Sequence, residues 1–332
     1  MGRCLLAMLF LSGFLVTSGE VASAAETPSS GGAATWGVGP VVAAGEPSRA
    51  ALVHPLIPGR SVSDTVLVTN FSLSPLTFQV YAQDAVNTDD GGFDLLSGSE
   101  ASRDIGLWVR ISQRSVTVPA RSRAEVPFRI EVPADASPGD HSGGIVAALL
   151  EPAKDGSGRD VTVERRVGTR IYGRVPGDVR ATLTASEPVT RYTESFNPFR
   201  AGIATATYTV RNTGNVRLGA HPSVTVKDLT GRVVRTMTAP VVREVLPGQS
   251  VTVVLAVPGI WPLGRFTVET GVQAVPVQGT EASAPAPRGD TSTSYLWAWP
   301  WTALVLFLLF ILLALIGYRH RSRTVPTEEN AS

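Results

Sequence analysis

The sequence predicts an all-β fold: two tandem Ig-like β-sandwiches, followed by one C-terminal transmembrane helix. Three observations carry this expectation. Hydrophobicity alternates with period two through most of the chain. Gly and Pro punctuation recurs about every 8–12 residues, the spacing of short strands and turns. A long charge-free apolar run stands near the C-terminus.

Residues 1–24 read as a secretory signal peptide. Arg3 supplies the positive start, residues 5–16 the apolar stretch, and Ala22-Ser23-Ala24 the small residues a signal peptidase needs. The single cysteine, Cys4, lies inside this segment. Cleavage leaves a mature chain with no disulfide and no thiolate metal site, and no cofactor is expected. Core packing alone must then hold each domain, which about 100 residues suffice to do.

Residues 35–176 form the first expected sandwich. In "SVSDTVLVTN", Val62, Val66 and Val68 oppose Ser63, Thr65 and Thr69. In "LTFQVYAQ", Leu76, Phe78, Val80 and Ala82 share a face. In "RAEVPFRIEV", Ala124, Val126, Phe128, Ile130 and Val132 share another. Residues 177–275 repeat the plan, with Ala204, Ala206, Tyr208 and Val210 on one face of "ATATYTVRN". The halves echo each other in order: "VTNFS" resembles "VRNTG", and "VPARSRAEVPF" resembles "VLPGQSVTVVL". A tandem duplication explains this better than one barrel. Residues 276–295, rich in Pro, Ala, Ser and Thr, read as a flexible stalk. Residues 297–318 read as a membrane span. Trp297, Trp299 and Trp301 form an aromatic belt on one side, and Tyr318 marks the other. Arg319, Arg321 and Arg323 follow, which places residues 319–332 in the cytoplasm and the domains outside. A net charge of +1 and the absence of a basic, aromatic-studded stripe argue against nucleic acid.

The run Asp140-His141-Ser142-Gly143-Gly144 brings the three residue types of a serine hydrolase together. Neighbours on a strand point to opposite faces, so His141 and Ser142 cannot pair there if both are extended. The outside histidines, His54 and His221, both precede proline and sit in extended backbone. The favoured reading is a turn at Pro138-Gly139-Asp140, with Gly143-Gly144 opening a buried strand where another backbone comes close. No catalysis is expected.

The blocks "LIPGRSVSDTVLVTNFSLSPLTFQVYAQDAVNTDDGGF", "WVRISQRSVTVPARSRAEVPFRIEVPADASPGDHSGGIVAAL" and "RVGTRIYGRVPG" resemble the peptidoglycan-binding domain of WxL-interacting proteins of Gram-positive bacteria. The resemblance implies an Ig-like fold and a peptidoglycan or envelope-glycan partner at the cell wall. The second half resembles the family's other domain only in being Ig-like.

Two readings of "QDAVNTDDGGF" stand open. It is ordinary turn chemistry, or Asp84, Asn87, Asp89 and Asp90 offer oxygens to calcium or sugar hydroxyls, with Phe93 and Trp108 available for a sugar face. In "ERRVGTRIYGRV", Arg165, Arg170 and Arg174 either meet wall anions or protect a solvated edge strand. The proposed ligand contacts are thus Asp84, Asn87, Asp90, Phe93, Arg170 and Arg174. Asn70-Phe71-Ser72 fits a glycosylation sequon but falls where a turn is expected. The expectation is a non-catalytic, membrane-anchored surface protein that contacts the wall. The alternative is an accessory or chaperone-like module that binds a secreted protein through a sheet edge.

Overall fold

A computed structural model describes residues 34–42, 45, 47–277 and 286–322. The signal peptide, Arg323 and the rest of the tail, and the Arg321 side chain lie outside the described residues.

The first sandwich contains β1 (Trp36–Pro40), β2 (Leu52–Pro55), β3 (Ser61–Asn70), β4 (Leu76–Asn87), β5 (Phe93–Leu95), the single-turn helix α1 (Ile105–Trp108), β6 (Val109–Ile111), β7 (Ser115–Val118), β8 (Arg123–Glu131), β9 (Gly139–Lys154) and β10 (Asp160–Val175). One sheet has the order β1-β3-β8-β6; the other runs β2-β10-β9-β4-β5, with β7 also on β4. The alternation decides which side chains fill the space between them: Val66, Val68, Phe78, Val80, Val126, Phe128 and Ile130 are buried, as their spacing requires. Each such burial stabilises by about 1.5–3 kcal/mol. No helix was expected here, yet α1 turns Trp108 into the core while Leu107 on the same turn is exposed.

The second sandwich contains β11 (Leu183–Ala185), β12 (Val189–Thr193), β13 (Gly202–Asn212), β14 (Leu218–Lys227), β15 (Val233–Thr238), β16 (Val242–Val245), β17 (Ser250–Ile260), β18 (Gly264–Pro276) and β19 (Asp290–Ala298). In one sheet β13 carries β11 and β12 on one side and β17 on the other. The other runs β15-β14-β18-β19, with β16 also on β14. Ala204, Ala206, Tyr208 and Val210 are all buried. The Tyr208 hydroxyl donates to the carbonyls of Ser223 and Gly271, so its burial leaves no polar atom stranded.

The echo between halves is physical. Asn70 and Asn212, each fully buried at the end of its strand, act alike. Asn70 Nδ2 donates to the carbonyls of Ser74 and Val118, and its Oδ1 accepts from the Ser72 amide. Asn212 Nδ2 donates to the carbonyls of Val216 and Val245, and its Oδ1 accepts from the Gly214 amide. The sequon asparagine is therefore a corner clamp; its amide nitrogen is spent on backbone.

The stalk expected over 276–295 is corrected from Asp290 onward, and its residues 278–285 lie outside the described residues. Asp290–Ala298 is β19, paired with β18 from Asp290 opposite Val272 to Ala298 opposite Gly264. An outer strand needs apolar side chains on one face only, and here only Leu296 and Ala298 reach the core, so the Ser/Thr-rich stretch showed no apolar period. The second sandwich accordingly runs past Val275. The expected span over 297–318 is shifted: Trp297 belongs to β19, Trp299 to a two-residue link, and α2 covers Trp301–Ser322. It is long and apolar enough over Trp301–His320 to cross a membrane.

Candidate functional site

Strands β9 and β10 form a hairpin paired without a break from Gly139–Val175 to Lys154–Asp160. Its far half outruns the sandwich. The outer side of β9 meets β4 only at residues 143–148, and the outer side of β10 meets β2 only at residues 171–174. Among the described residues no strand pairs with the outer side of β10 from Asp160 to Arg170. Arg174 turns its carbonyl outward, where the Leu56 amide reaches it. Antiparallel alternation then points the backbone groups of Thr162, Glu164 and Arg166 outward as well. Val161 and Val163, both partly exposed, stand on one face of this edge in the usual two-residue period. The turn between the strands is tied by Asp155, whose carboxylate accepts from Ser157 and Arg159; these bonds hold its carboxyl down at about 2.

The four arginines of β10 are committed to carboxylates. Arg165 lies 3.4 Å from Glu151, Arg166 3.4 Å from Asp94, Arg170 3.7 Å from Glu244, and Arg174 grips Asp140 through two bonds of 2.6 and 2.9 Å. Arg170 and Arg174, expected from sequence to be open to wall anions, thus have carboxylate partners within the chain. Among the described residues this segment is an edge strand from Glu164 to Arg170 and pairs with β2 from Ile171 to Arg174.

Where the ribbon enters the sandwich, it meets the second domain through an ion cluster. Asp140 accepts from Arg174 and from the Arg217 backbone amide, at 2.8 Å. Arg217 Nη1 donates to Glu244 at 2.9 Å, and its guanidinium lies 3.7 Å from the Tyr172 ring centre. The Tyr172 hydroxyl donates to the other Glu244 oxygen at 2.9 Å. Burial, with the Glu244 charge and hydrogen bond, pushes the Tyr172 phenol up. Asn87 bridges the same junction, donating to the Glu244 carbonyl and accepting from the Leu246 amide. Gly139, at φ 128°, lets its backbone run against Asn215; a Cβ there would lie 2.2 Å from the Asn215 carbonyl oxygen. Neither Arg217 nor Glu244 was singled out from sequence. The one available signal was a charged residue immediately before or within a buried strand. Beside the cluster is a cleft of about 1020 Å³, lined by Val53, Arg170, Tyr172, Arg243, Glu244 and Val275 among others.

The remaining candidate contacts bond largely within the chain. Asp84 is buried and accepts from the amides of Arg103, Asp104 and Gly106, fastening the start of α1. Asp90 accepts from Thr88 and the Gly92 amide inside its own turn, bonds that lower its carboxyl. Phe93 lies under the Arg170 guanidinium at 4.2 Å and edge-on to Tyr172. In this loop Asp84, Asn87 and Phe93 take part in turn and domain-junction contacts. Among the described residues no group of three or more His, Cys, Asp or Glu is arranged to hold a metal.

The Asp-His-Ser run takes a structural form too. His141 Nδ1 is 2.6 Å from Asp104 and Nε2 is 2.8 Å from the Ser137 carbonyl, so both nitrogens face acceptors. The Trp108 ring sits 4.6 Å away. Burial works against charge on His141, but the Asp104 hydrogen bond and charge outweigh it and raise the imidazole above its usual range. Among the described residues the buried Ser142 Oγ finds no hydrogen-bond partner. Gly143 and Gly144 sit where a Cβ would meet the carbonyls of Gln83 and Thr169 at 2.7 Å, the close backbone approach expected of them. The turn lies slightly earlier than expected, at residues 134–135, and Gly139 already opens the strand.

No protein-family model and no curated protein matches the chain. Solved structures that resemble it include one described as a chaperone–tip adhesin complex of CFA/I fimbriae biogenesis. It is 10% identical, with 78% of this chain and 98% of that one covered and a TM-score of 0.37. The class 5 fimbriae chaperone CfaA is 12% identical, covering 72% and 94%, at 0.35. The Pseudomonas aeruginosa CupB2 chaperone is 13% identical, covering 75% and 98%, at 0.30. At these scores the likenesses add nothing to the two-sandwich architecture already described.

Proposed function

We propose that this chain is an exported, membrane-anchored accessory module, without catalytic activity, that takes an extended segment of a secreted protein onto the outer edge of β10. The observation that carries this reading is the open edge from Asp160 to Arg170, with outward backbone groups at Thr162, Glu164 and Arg166 and valines at Val161 and Val163. An added strand gains main-chain hydrogen bonds there, while alternate side chains set its register. The ion cluster supports the reading by holding both sandwiches in one orientation behind the ribbon. The α2 helix supplies the anchor. The wall-glycan reading rested on Asp84, Asn87, Asp90, Phe93, Arg170 and Arg174; Asp84, Asn87 and Arg174 hydrogen-bond within the chain and Arg170 lies 3.7 Å from Glu244, so the edge is preferred.

The test is a photo-crosslinking residue in place of Thr162 in producing cells, followed by wall digestion. A discrete protein adduct that survives digestion is expected. Proline at Glu164 removes one outward N–H without touching the β9 ladder, and it should abolish the adduct. An adduct unaffected by Glu164→Pro, or crosslinks to glycan alone, would refute the proposal.

A further inference from the structure

One end of the second sandwich differs from the other in what its loops expose. The register places the β12–β13 loop, the β14–β15 turn, the β17–β18 turn and the β19–α2 link together: Gly202 pairs with Ile260, Lys227 with both Val233 and Thr267, and Gly264 with Ala298. Each of these connections carries large apolar side chains in the open. Phe196 is 98% exposed, Phe199 85%, Leu263 76% and Leu229 65%; Trp261 and Trp299 are about half exposed. Trp297, beside them on β19, stacks on Trp299 with rings 5.9 Å apart and 3° from parallel. The opposite end meets the first sandwich, and there Val216 and Leu246 are buried.

These loops surround the start of α2, and one is fastened to it. The Glu194 carboxylate accepts from the Thr302 amide at 3.1 Å and from its hydroxyl at 2.7 Å. An acidic acceptor at a helix start satisfies a bare N–H and favours the dipole. Phe196 therefore begins two residues from a clamp on the first turn of α2. Arg200 and Arg232 lie in these same loops, and Arg265, at the start of β18, rides 4.9 Å from the Tyr295 ring centre.

We infer that this rim is a second membrane contact: its aromatic and aliphatic loop tips lie in the headgroup–acyl boundary of the outer leaflet, with the arginines at headgroup level. The occupant is a lipid surface because the rim is continuous with α2, and the inference rests on reading α2 as a membrane span. Aromatic side chains favour that boundary, and the apolar tips leave water when seated there. With a two-residue link and a clamped first turn, the domain stands upright on the bilayer and cannot swing as a stalked domain would.

The experiment uses the full chain carrying Cys4→Ser, reconstituted in bilayer nanodiscs. Single cysteines at Phe196, Phe199 or Leu263 are spin-labelled, with Leu308→Cys as a mid-span reference and Ser157→Cys, at the ribbon turn, as an aqueous one. Power saturation compares collision with oxygen and with a water-soluble nickel complex. The loop labels are expected to favour oxygen several-fold more than the label at 157, though less than that at 308. Loop labels that match 157 while 308 reads bilayer depth would overturn the rim contact alone. An aqueous reading at 308 would remove the membrane span and the rim with it.

Discussion

Removing either corner asparagine should loosen one sandwich and spare the other. In Asn70→Ala the Val118 carbonyl and the Ser72 amide lose their partner in the interior, whereas the Ser74 carbonyl belongs to an exposed residue and finds water. In Asn212→Ala the buried Val216 and Val245 carbonyls lose this donor, whereas the Gly214 amide keeps the Thr182 carbonyl. Each stranded buried group costs about 1–3 kcal/mol, and with two such groups in each variant the loss is about 3 kcal/mol or more for either. Aspartate should be no milder than alanine, since it sets a carboxylate against two carbonyl oxygens. Two domains make a single unfolding midpoint ambiguous, so the assay is amide hydrogen exchange resolved by peptide. A loss of about 3 kcal/mol speeds exchange from open states roughly a hundredfold. Acceleration should appear in β3, β4 and β8 for Asn70→Ala, and in β13, β14 and β17 for Asn212→Ala. A change below about threefold in the home sandwich, or equal loosening of both, would refute the claim that these residues are matched clamps.

Three further outcomes follow from the same geometry. His141 has a folded pKa above its unfolded value of about 6.5, so its contribution to stability is complete below that value and is lost as pH rises through the folded pKa; Asp104→Asn should lower its NMR titration midpoint, and a midpoint already below 6.5 in the parent would contradict the pairing. Arg217→Met leaves Glu244 and Asp140 short of a partner at the domain junction and should broaden inter-domain spin-label distances, with little change in circular dichroism; an unchanged distribution would show that the cluster does not hold the domains together. Gly139→Ala drives a methyl group into the Asn215 carbonyl at a backbone angle alanine resists, so it should produce the same broadening, whereas Gly156→Ala, with open space around it, should be silent.

Local pattern determined the strands. Val66, Val68, Phe78, Val126 and Tyr208 are buried where a two-residue period puts them, because a half-buried strand writes its burial directly into its own residues. The tandem plan and the paired Asn corners could be read the same way, as could the apolar length of α2. The site could not. Arg170, Arg174, Asp84 and Asn87 read as free polar groups because their partners are distant in sequence: Glu244, Asp140, the amides of residues 103–106, and Leu246. Polar groups carry no period that reveals whether they are already satisfied. Strand β19 was missed for a related reason, since a strand with solvent along most of one face needs few apolar residues to be held by its neighbour. Which edge stays open, which charges cancel and which loop tips gather around the start of α2 are properties of distant segments brought together, and only the tertiary structure decides them.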